Sequence, residues 1–353
     1  MMKKIRVLVV DDSAFNRVSI GKMLEQISEV EIVGYAADGE AGLRKVFDLK
    51  PDLVTLDLEM PKMGGFSMLR LIMKSCPTPV LVISSRSGDA DVFKALELGA
   101  IDFVAKPSRP ISSEFYSIQT DLERKIRDFS SFEPDQFRLQ NSLRGEGKIC
   151  SDVRVFAGSP VLHPPKAVVI GSSTGGPPAL HHFLSEFKTS PGVSFAVAQH
   201  MPPGFTRSFA DRLNDHSVFT VTEAATGDCM RPGHVYICPG GCNMLLRRFA
   251  DEVKIQIVTP DESQIYTPSV DALFKSAASV YGAELLGIVL TGMGNDGAAG
   301  VRDIKEAGGR VIAEAEDSCV VYGMPKEAIA TGCVSLVVPL SGLCEEIKRC
   351  CVG

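Results

Sequence analysis

The chain has 353 residues, 45% of them hydrophobic and 23% charged, with a net charge of −6. That length predicts two domains at roughly 150 residues each. The acidic balance argues against nucleic acid or an anionic membrane surface as the main partner.

Residues 4–10 read as an apolar strand ending in Asp11-Asp12-Ser13. The run is too short to span a bilayer and no small-residue cleavage site follows, so the expected location is the cytoplasm without membrane insertion. Helical spacing follows over 16–27 through Val18, Met23, Leu24 and Ile27, then a strand over 31–36 and a helix over 39–48 with Leu43, Val46 and Phe47 inward. A third strand, 53–58, carries Asp57 near its C-terminal end. After it come a helix over 66–74, a strand over 80–84 closing on Ser84, a helix over 91–98 and a strand over 102–105 that holds Phe103 and leads into Lys106. Ile111, Phe115, Ile118, Leu122, Ile126 and Phe129 then recur every three or four residues, an amphipathic helix. Strands alternating with helices in this way predict a doubly wound parallel sheet, whose ligands bind beyond the C-terminal strand ends.

That rule gathers Asp11, Asp12, Asp57, Ser84 and Lys106 into one crevice. Carboxylates so close repel one another and call for a divalent cation, and oxygen ligands point to Mg²⁺. A carboxylate beside a cation, a hydroxyl and a lysine is set up to accept a phosphoryl group. Asp57 is the expected acceptor, with Asp11 and Asp12 holding the metal, Lys106 neutralising the added charge and Ser84 hydrogen-bonding it. Any one of these acids alone would read as a solvated loop residue; five compatible residues at the ends of four strands do not.

The stretches VVDDS (9–13), LDLEMPKMGG (56–65), ISS (83–85) and FVAKP (103–107) resemble the receiver domain of two-component response regulators. The resemblance implies phosphorylation of Asp57 by a partner histidine kinase with Mg²⁺ bound, and rotamer changes of Ser84 and Phe103 that report it.

Residues 130–165 are polar and irregular, with Glu133-Pro134, Gly145-Glu146-Gly147 and Pro164-Pro165, and read as an interdomain linker. Within it, the sequence does not fix whether 153–156 pairs with a neighbour.

The second half opens on a buried strand at 167–170 followed by Gly171-Ser172-Ser173-Thr174-Gly175 and a helix over 177–187. Strand, glycine turn and helix form the setting that lifts a serine clear of a sheet edge, and the helix start adds N–H groups for an anion. On the motif alone, the turn reads at least as readily as one that merely connects elements or holds a phosphate. A strand over 193–198 ends in Gln199-His200; a helix over 204–213 and a strand over 218–222 follow. Runs at 233–238, 243–249 and 253–258 read as a β-rich insertion. A helix over 269–281 leads to a strand over 284–290, which ends in Thr291-Gly292-Met293-Gly294-Asn295-Asp296-Gly297. A helix over 298–307, strands over 310–313 and 334–338, and a helix from 341 complete a second, mostly parallel sheet.

Ser173, His200 and Asp296 thus lie at three strand ends, the residue types an acyl-transfer triad requires: a hydroxyl, an imidazole to take its proton, and a carboxylate to orient the imidazole. Taken singly, His200 reads as a packed polar residue and Asp296 as a cap of the helix that follows it. Backbone N–H groups near Met293 and the Thr174 hydroxyl are candidate oxyanion donors. The chain order Ser, His, Asp is not that of an α/β-hydrolase. A dinucleotide fold is weakened by the lack of G-x-G-x-x-G spacing. The ten cysteines form no CxxC pair, and Cys238, Cys242 and His234 lack a second zinc-ligand cluster.

IGSSTGGPPAL (170–180), AQHMPPGFTRSFADRL (198–213), PSVDALF (268–274), LTGMGNDGAAG (290–300) and VYGMPKEAI (321–329) resemble the catalytic domain of chemotaxis protein-glutamate methylesterases, the CheB family. The resemblance implies an α/β protein of two doubly wound parallel-sheet domains: a flavodoxin-like receiver over 1–129, a linker over 130–165 and a Rossmann-like methylesterase domain over 166–353. It implies Ser173 as nucleophile, His200 as base and Asp296 as orienting acid. The expected activity is a phosphorylation-regulated hydrolysis of glutamate methyl esters on methyl-accepting chemoreceptors, with deamidation of receptor glutamines. The esterase step needs no cofactor, and the protein is expected to act as a monomer. The rivals are a response regulator whose second half only binds a partner or nucleotide, and a general small-molecule esterase.

Overall fold

Buried strands alternating with one-sided helices build two units, Met1–Lys148 and Ile149–Gly353. The computed structural model describes residues 4–84, 89–106, 113–129, 154–155, 163–261 and 264–352.

In the first unit β1 (Ile5–Val10), β2 (Val30–Ala36), β3 (Leu53–Asp57), β4 (Val80–Ser84) and β5 (Asp102–Ala105) form a parallel sheet in the order β2-β1-β3-β4-β5. The helices are α1 (Ala14–Glu25), α2 (Gly39–Leu49), α3 (Gly65–Ser75), α4 (Asp89–Glu97) and α5 (Ser113–Phe129). β3 and β4 are buried along their whole length, as strands covered on both faces must be. The strand order reverses at β1, which opens the crevice between the ends of β1 and β3. Phe47, expected inward, is exposed; Val46 and Gly42 carry the buried face of α2 instead. Leu122 and Ile126 are buried as the periodicity of α5 requires. Ile111 and the side chains of Phe115, Ile118 and Phe129 lie outside the described residues.

The second unit holds an eight-stranded sheet. β7 (Ala167–Ser172), β8 (Ser194–Gln199), β9 (Thr220–Glu223), β10 (His234–Ile237), β13 (Leu285–Val289), β14 (Arg310–Glu314) and β15 (Leu336–Val338) run parallel, in the order β15-β14-β13-β7-β8-β10-β9. β6 (Arg154–Val155) adds to β15 in the antiparallel sense. Part of the expected linker is therefore an edge strand; most of the remainder lies outside the described residues. The helices are α6 (Gly176–Ser185), α7 (Thr206–Asp215), α8 (Val270–Tyr281), α9 (Ala298–Glu306), α10 (Met324–Ala330) and α11 (Leu340–Val352). Phe183, Phe187, Phe195 and Phe219 interlock edge to face beneath this sheet, with centroids 5.2–6.4 Å apart.

One sequence expectation fails here, and one helix is missed. The run at 233–238 is not part of a β-rich insertion: β10 sits inside the parallel sheet between β8 and β9, and only β11 (Asn243–Phe249) and β12 (Glu252–Val258) form a separate antiparallel pair. The apolar core of β10, Val235 to Ile237, has no alternation to reveal which sheet it joins. Helix α10 was not expected, because its seven residues are too few for a periodic signal.

Candidate active site

The order of the second sheet reverses at β7, between β13 and β8, and Ser173, His200 and Asp296 lie in the segments that leave these three strands. Ser173 opens the turn from β7 into α6. Gly175 adopts φ +79°, and a Cβ there would stand 2.5 Å from Val320 and 3.0 Å from Thr291 Oγ1, so this close turn requires glycine. The end of β8 is laced to the turn. His200 N–H donates to Ser172 O at 3.0 Å. Gln199 Nε2 donates to Ser173 O at 2.9 Å and to His200 O at 3.0 Å, while its Oε1 accepts from Ser172 Oγ at 2.7 Å. On the other side, Ser173 N–H donates to Thr291 O at 3.1 Å. A Cβ on Gly292 would meet Ser173 Cβ at 2.7 Å, so the loop after β13 runs directly against the serine.

His200 Nε2 lies 2.8 Å from Asp296 Oδ2, and both side chains are almost wholly buried. A hydrogen bond to this carboxylate places the proton on Nε2 and leaves a lone pair on Nδ1, which is buried and has no hydrogen-bond partner. The Tyr266 ring stacks on the imidazole, 5.1 Å between centroids and 8° between planes. Thr174, buried, follows the serine, and Met293, half-buried, lies in the loop after β13.

Asp296 is held from several sides. Val270 N–H donates to Oδ2 at 2.7 Å, Asp271 N–H to Oδ1 at 2.9 Å, and Ser269 Oγ to Oδ1 at 3.2 Å. These donors are the first turn of α8, where unpaired N–H groups and the helix dipole favour an anion. Asp296 therefore serves the helix that precedes it. The N-terminus of α9, which follows it, is bonded instead by Asp271 Oδ1, through Gly297 N–H at 2.9 Å and Gly300 N–H at 2.7 Å. The two helices exchange aspartates. Burial pushes the Asp296 carboxyl up, but the His200 bond and charge and the two N–H donors outweigh it and hold the group below its ordinary range. Asp271 moves the other way, raised by burial and by the nearby Asp296 charge.

In the first unit the structure brings Asp11, Asp12 and Asp57 together, with ligand oxygens within 4.8 Å of one another. Lys106 Nζ bridges Asp57 Oδ2 at 2.6 Å and Asp11 Oδ2 at 3.0 Å. Asp11 also accepts from Ser13 N–H and Asn16 Nδ2, and Asp57 from Glu59 N–H. Burial raises the Asp57 carboxyl more than Lys106 lowers it, and Asp11 adds to the rise. Burial would lower the Lys106 ammonium, but Asp57 and Asp11 hold it above its usual value. An excess of carboxylate oxygens over donors at a shared point fits a hard divalent cation. Ser84, the last residue of β4, and Phe103, within β5, are both buried, and Lys125 lies over the Phe103 ring at 4.9 Å.

Sequence reasoning missed Gln199, Tyr266, Ser269 and Asp271 as parts of the site. Ser269 ahead of an apolar helix and Asp271 in its first turn are readable capping signals. Gln199 and Tyr266 give none, because their role depends on which strand ends become neighbours.

A family model described as CheB methylesterase matches residues 168–347, and one described as response regulator receiver domain matches residues 7–112. A Geobacter sulfurreducens protein named protein-glutamate methylesterase/protein-glutamine glutaminase 3 is 50% identical, over 99% of this chain and 98% of its own length. A protein-glutamate methylesterase/protein-glutamine glutaminase 1 from Myxococcus xanthus is 49% identical, over 96% of this chain and 95% of its own. The crystal structure of the Thermotoga maritima CheB methylesterase catalytic domain aligns with a TM-score of 0.51 at 40% identity, covering 52% of this chain and 98% of that one.

Proposed function

We infer the activity from one premise: the chain belongs to the family that the CheB methylesterase model describes. It is a phosphorylation-regulated hydrolase that removes methyl esters from glutamyl side chains of methyl-accepting chemoreceptors in chemotaxis adaptation, and deamidates receptor glutamines by the same route. The observation that supports these residue roles is the buried His200 Nε2–Asp296 Oδ2 contact of 2.8 Å, beside a serine held in a glycine turn.

Ser173 Oγ attacks the ester carbonyl carbon, and its proton passes to Nδ1 of His200, the nitrogen not engaged by Asp296. Asp296, kept ionised by the α8 N-terminus, stabilises the imidazolium that forms. Thr174 and Met293, which flank the serine from two loops, supply the donors to the oxyanion. Nδ1–H returns its proton to the methoxide oxygen as the C–O bond breaks, and methanol leaves. Water then attacks the acyl-enzyme with His200 again as base, releasing the glutamate and the Ser173 hydroxyl. With glutamine, ammonia leaves in place of methanol.

In the receiver unit, Asp57 accepts the phosphoryl group from a histidine kinase. Asp11, Asp12 and Asp57 would hold Mg²⁺, which when bound would neutralise charge at the acceptor carboxylate. Lys106 pairs with the added charge, and Ser84 and Phe103 report it. Among the described residues no helix is long and apolar enough to cross a membrane.

Methanol release from methylated receptor membranes tests the reading. Wild-type protein is expected to release it and Ser173→Ala is not. Turnover of simple esters without any release from receptor would make the chain a general esterase.

A further inference from the structure

Glu314 is 1% exposed at the C-terminal end of β14, and neither the hydrolysis nor the receiver chemistry uses it. Burying a carboxylate is unfavourable unless hydrogen bonds replace its water, and an apolar side chain would fill this core position at lower cost. Its Oε2 accepts from the Thr291 N–H at 2.7 Å and its Oε1 from Ser318 Oγ at 2.9 Å. Thr291, also 1% exposed, is the residue on which the nucleophile turn rests. Thr291 O accepts from Ser173 N–H at 3.1 Å. Thr291 Oγ1 lies 3.0 Å from Thr174 O, to which it donates, and accepts from Val321 N–H at 2.9 Å.

We propose that Glu314 is a positioning residue for the nucleophile. Its carboxylate fixes Thr291 through the N–H, and through that residue's carbonyl and hydroxyl the backbone of Ser173 and Thr174. This rests on Ser173 being the nucleophile. Without the acceptor, the Thr291 N–H is a buried orphan, and its peptide must rotate or shift to find a partner. A shift there moves the amide acceptor beneath Ser173 and the hydroxyl donor to Thr174 together. The serine and the oxyanion donors then lose their common frame. What Thr291 needs is an acceptor at that point rather than a charge. Glutamine supplies one through Oε1, and its Nε2 can donate to Ser318 Oγ, so both bonds survive.

The test measures kcat and KM for methanol release from methylated receptor membranes by the full chain, as wild type, Ser173→Ala, Glu314→Gln, Glu314→Ala and Glu314→Met, with thermal melts of each. Glu314→Ala and Glu314→Met are expected to lower kcat about 10–100-fold, the scale of an ångström-level misplacement. KM should stay within about twofold and Glu314→Gln within about threefold of wild type in kcat, because the acceptor is kept. Methionine fills the space that alanine leaves, so a folded variant remains if the void alone is harmful. A kcat within threefold of wild type in the folded Ala or Met variant overturns the inference. So does a fall in rate that only follows the unfolded fraction, failure of both variants to fold while Glu314→Gln behaves as wild type, or a Gln variant as slow as Ala. Persisting turnover in Ser173→Ala would instead overturn the nucleophile itself, whatever the Glu314 variants do.

Discussion

Asp57 and Asp296 are each 4% exposed, and each belongs to the C-terminal edge of a parallel sheet near its point of reversal, yet their carboxyl groups move in opposite directions. Burial disfavours the charge of both. At Asp296 the fold itself supplies the remedy: two backbone N–H groups, a serine hydroxyl and an imidazole N–H converge on one carboxylate. At Asp57 it supplies one lysine, shared with Asp11, and a single backbone N–H from Glu59, and adds a neighbouring negative charge. One acid is satisfied by several donors of the protein, and the other is left with fewer donors beside a second negative charge. The first arrangement suits a site that must stand ready through each turnover. The second suits a site whose state is to be changed from outside.

The comparison breaks most sharply if the second site is not a unit. Ser173→Ala and His200→Gln should each lower methanol release by roughly 10⁴-fold or more while the protein stays folded, because members of a triad act together. A loss below tenfold for either would separate it from the chemistry. At the first site the expected effect is smaller and conditional. A small phosphodonor with Mg²⁺ should label the wild-type chain and raise its esterase rate by roughly 5–150-fold, the range of typical couplings between sites. Asp57→Asn, or chelation of the metal, should abolish both label and response. A label that survives in Asp57→Asn would move the acceptor elsewhere.

The opposite pKa shifts sharpen the comparison through stability. Asp296 is held below its ordinary value, so its contribution is fully present above that value and is lost as pH falls through the lower folded one. Asp57 is held above its ordinary value, so its ionised form opposes folding at neutral pH and protonation relieves the penalty as pH falls through the raised value. In metal-free buffer at pH 7, Asp296→Asn should destabilise its unit by about 2 kcal/mol, the scale of losing hydrogen bonds to a charged group. Asp57→Asn should stabilise its own by about 1 kcal/mol, the scale of one like-charge contact. Calorimetry resolving the two transitions checks both signs, and shifts in the same direction would undo the contrast.

How much of this the sequence reveals depends on whether a role is local. Asp11, Asp57 and Lys106 are legible because each ends a strong apolar run, and the strand-end rule does the rest. Ser173 and His200 are legible for the same reason. Asp296 is legible as the acid beside His200, but its local reading as a cap of α9 fails: its bonds run backward to α8, with Asp271 reciprocating. Gln199, Tyr266 and Glu314 carry no local signal, since a buried polar side chain acquires meaning only from the neighbours that the strand order gives it. The same cause misassigned β10, whose short apolar core fits either sheet.

The smallest expected effect tests how much of the Asp296 remedy is redundant. Ser269 does two things with one hydroxyl. Its Oγ accepts from Ala272 N–H at 3.2 Å as the cap of α8 and donates to Asp296 Oδ1 at 3.2 Å. Its own N–H is held separately, by Asn243 Oδ1 at 2.9 Å, so the backbone at this point does not depend on the side chain. Ser269→Ala removes the cap and the weaker of the Oδ1 contacts but leaves the shorter bonds from Val270 and Asp271 in place. Losing a serine cap typically costs about 1 kcal/mol, which should appear as a lowered melting temperature. Catalysis should suffer less. The imidazole is oriented by Oδ2, which keeps both of its partners, so kcat should fall by no more than about fivefold, near 1 kcal/mol of transition-state stabilisation. A loss approaching that of His200→Gln would show that the hydroxyl, not the helix N-terminus, keeps Asp296 ionised. No loss in either stability or rate would show the reverse, that the backbone donors of α8 suffice alone.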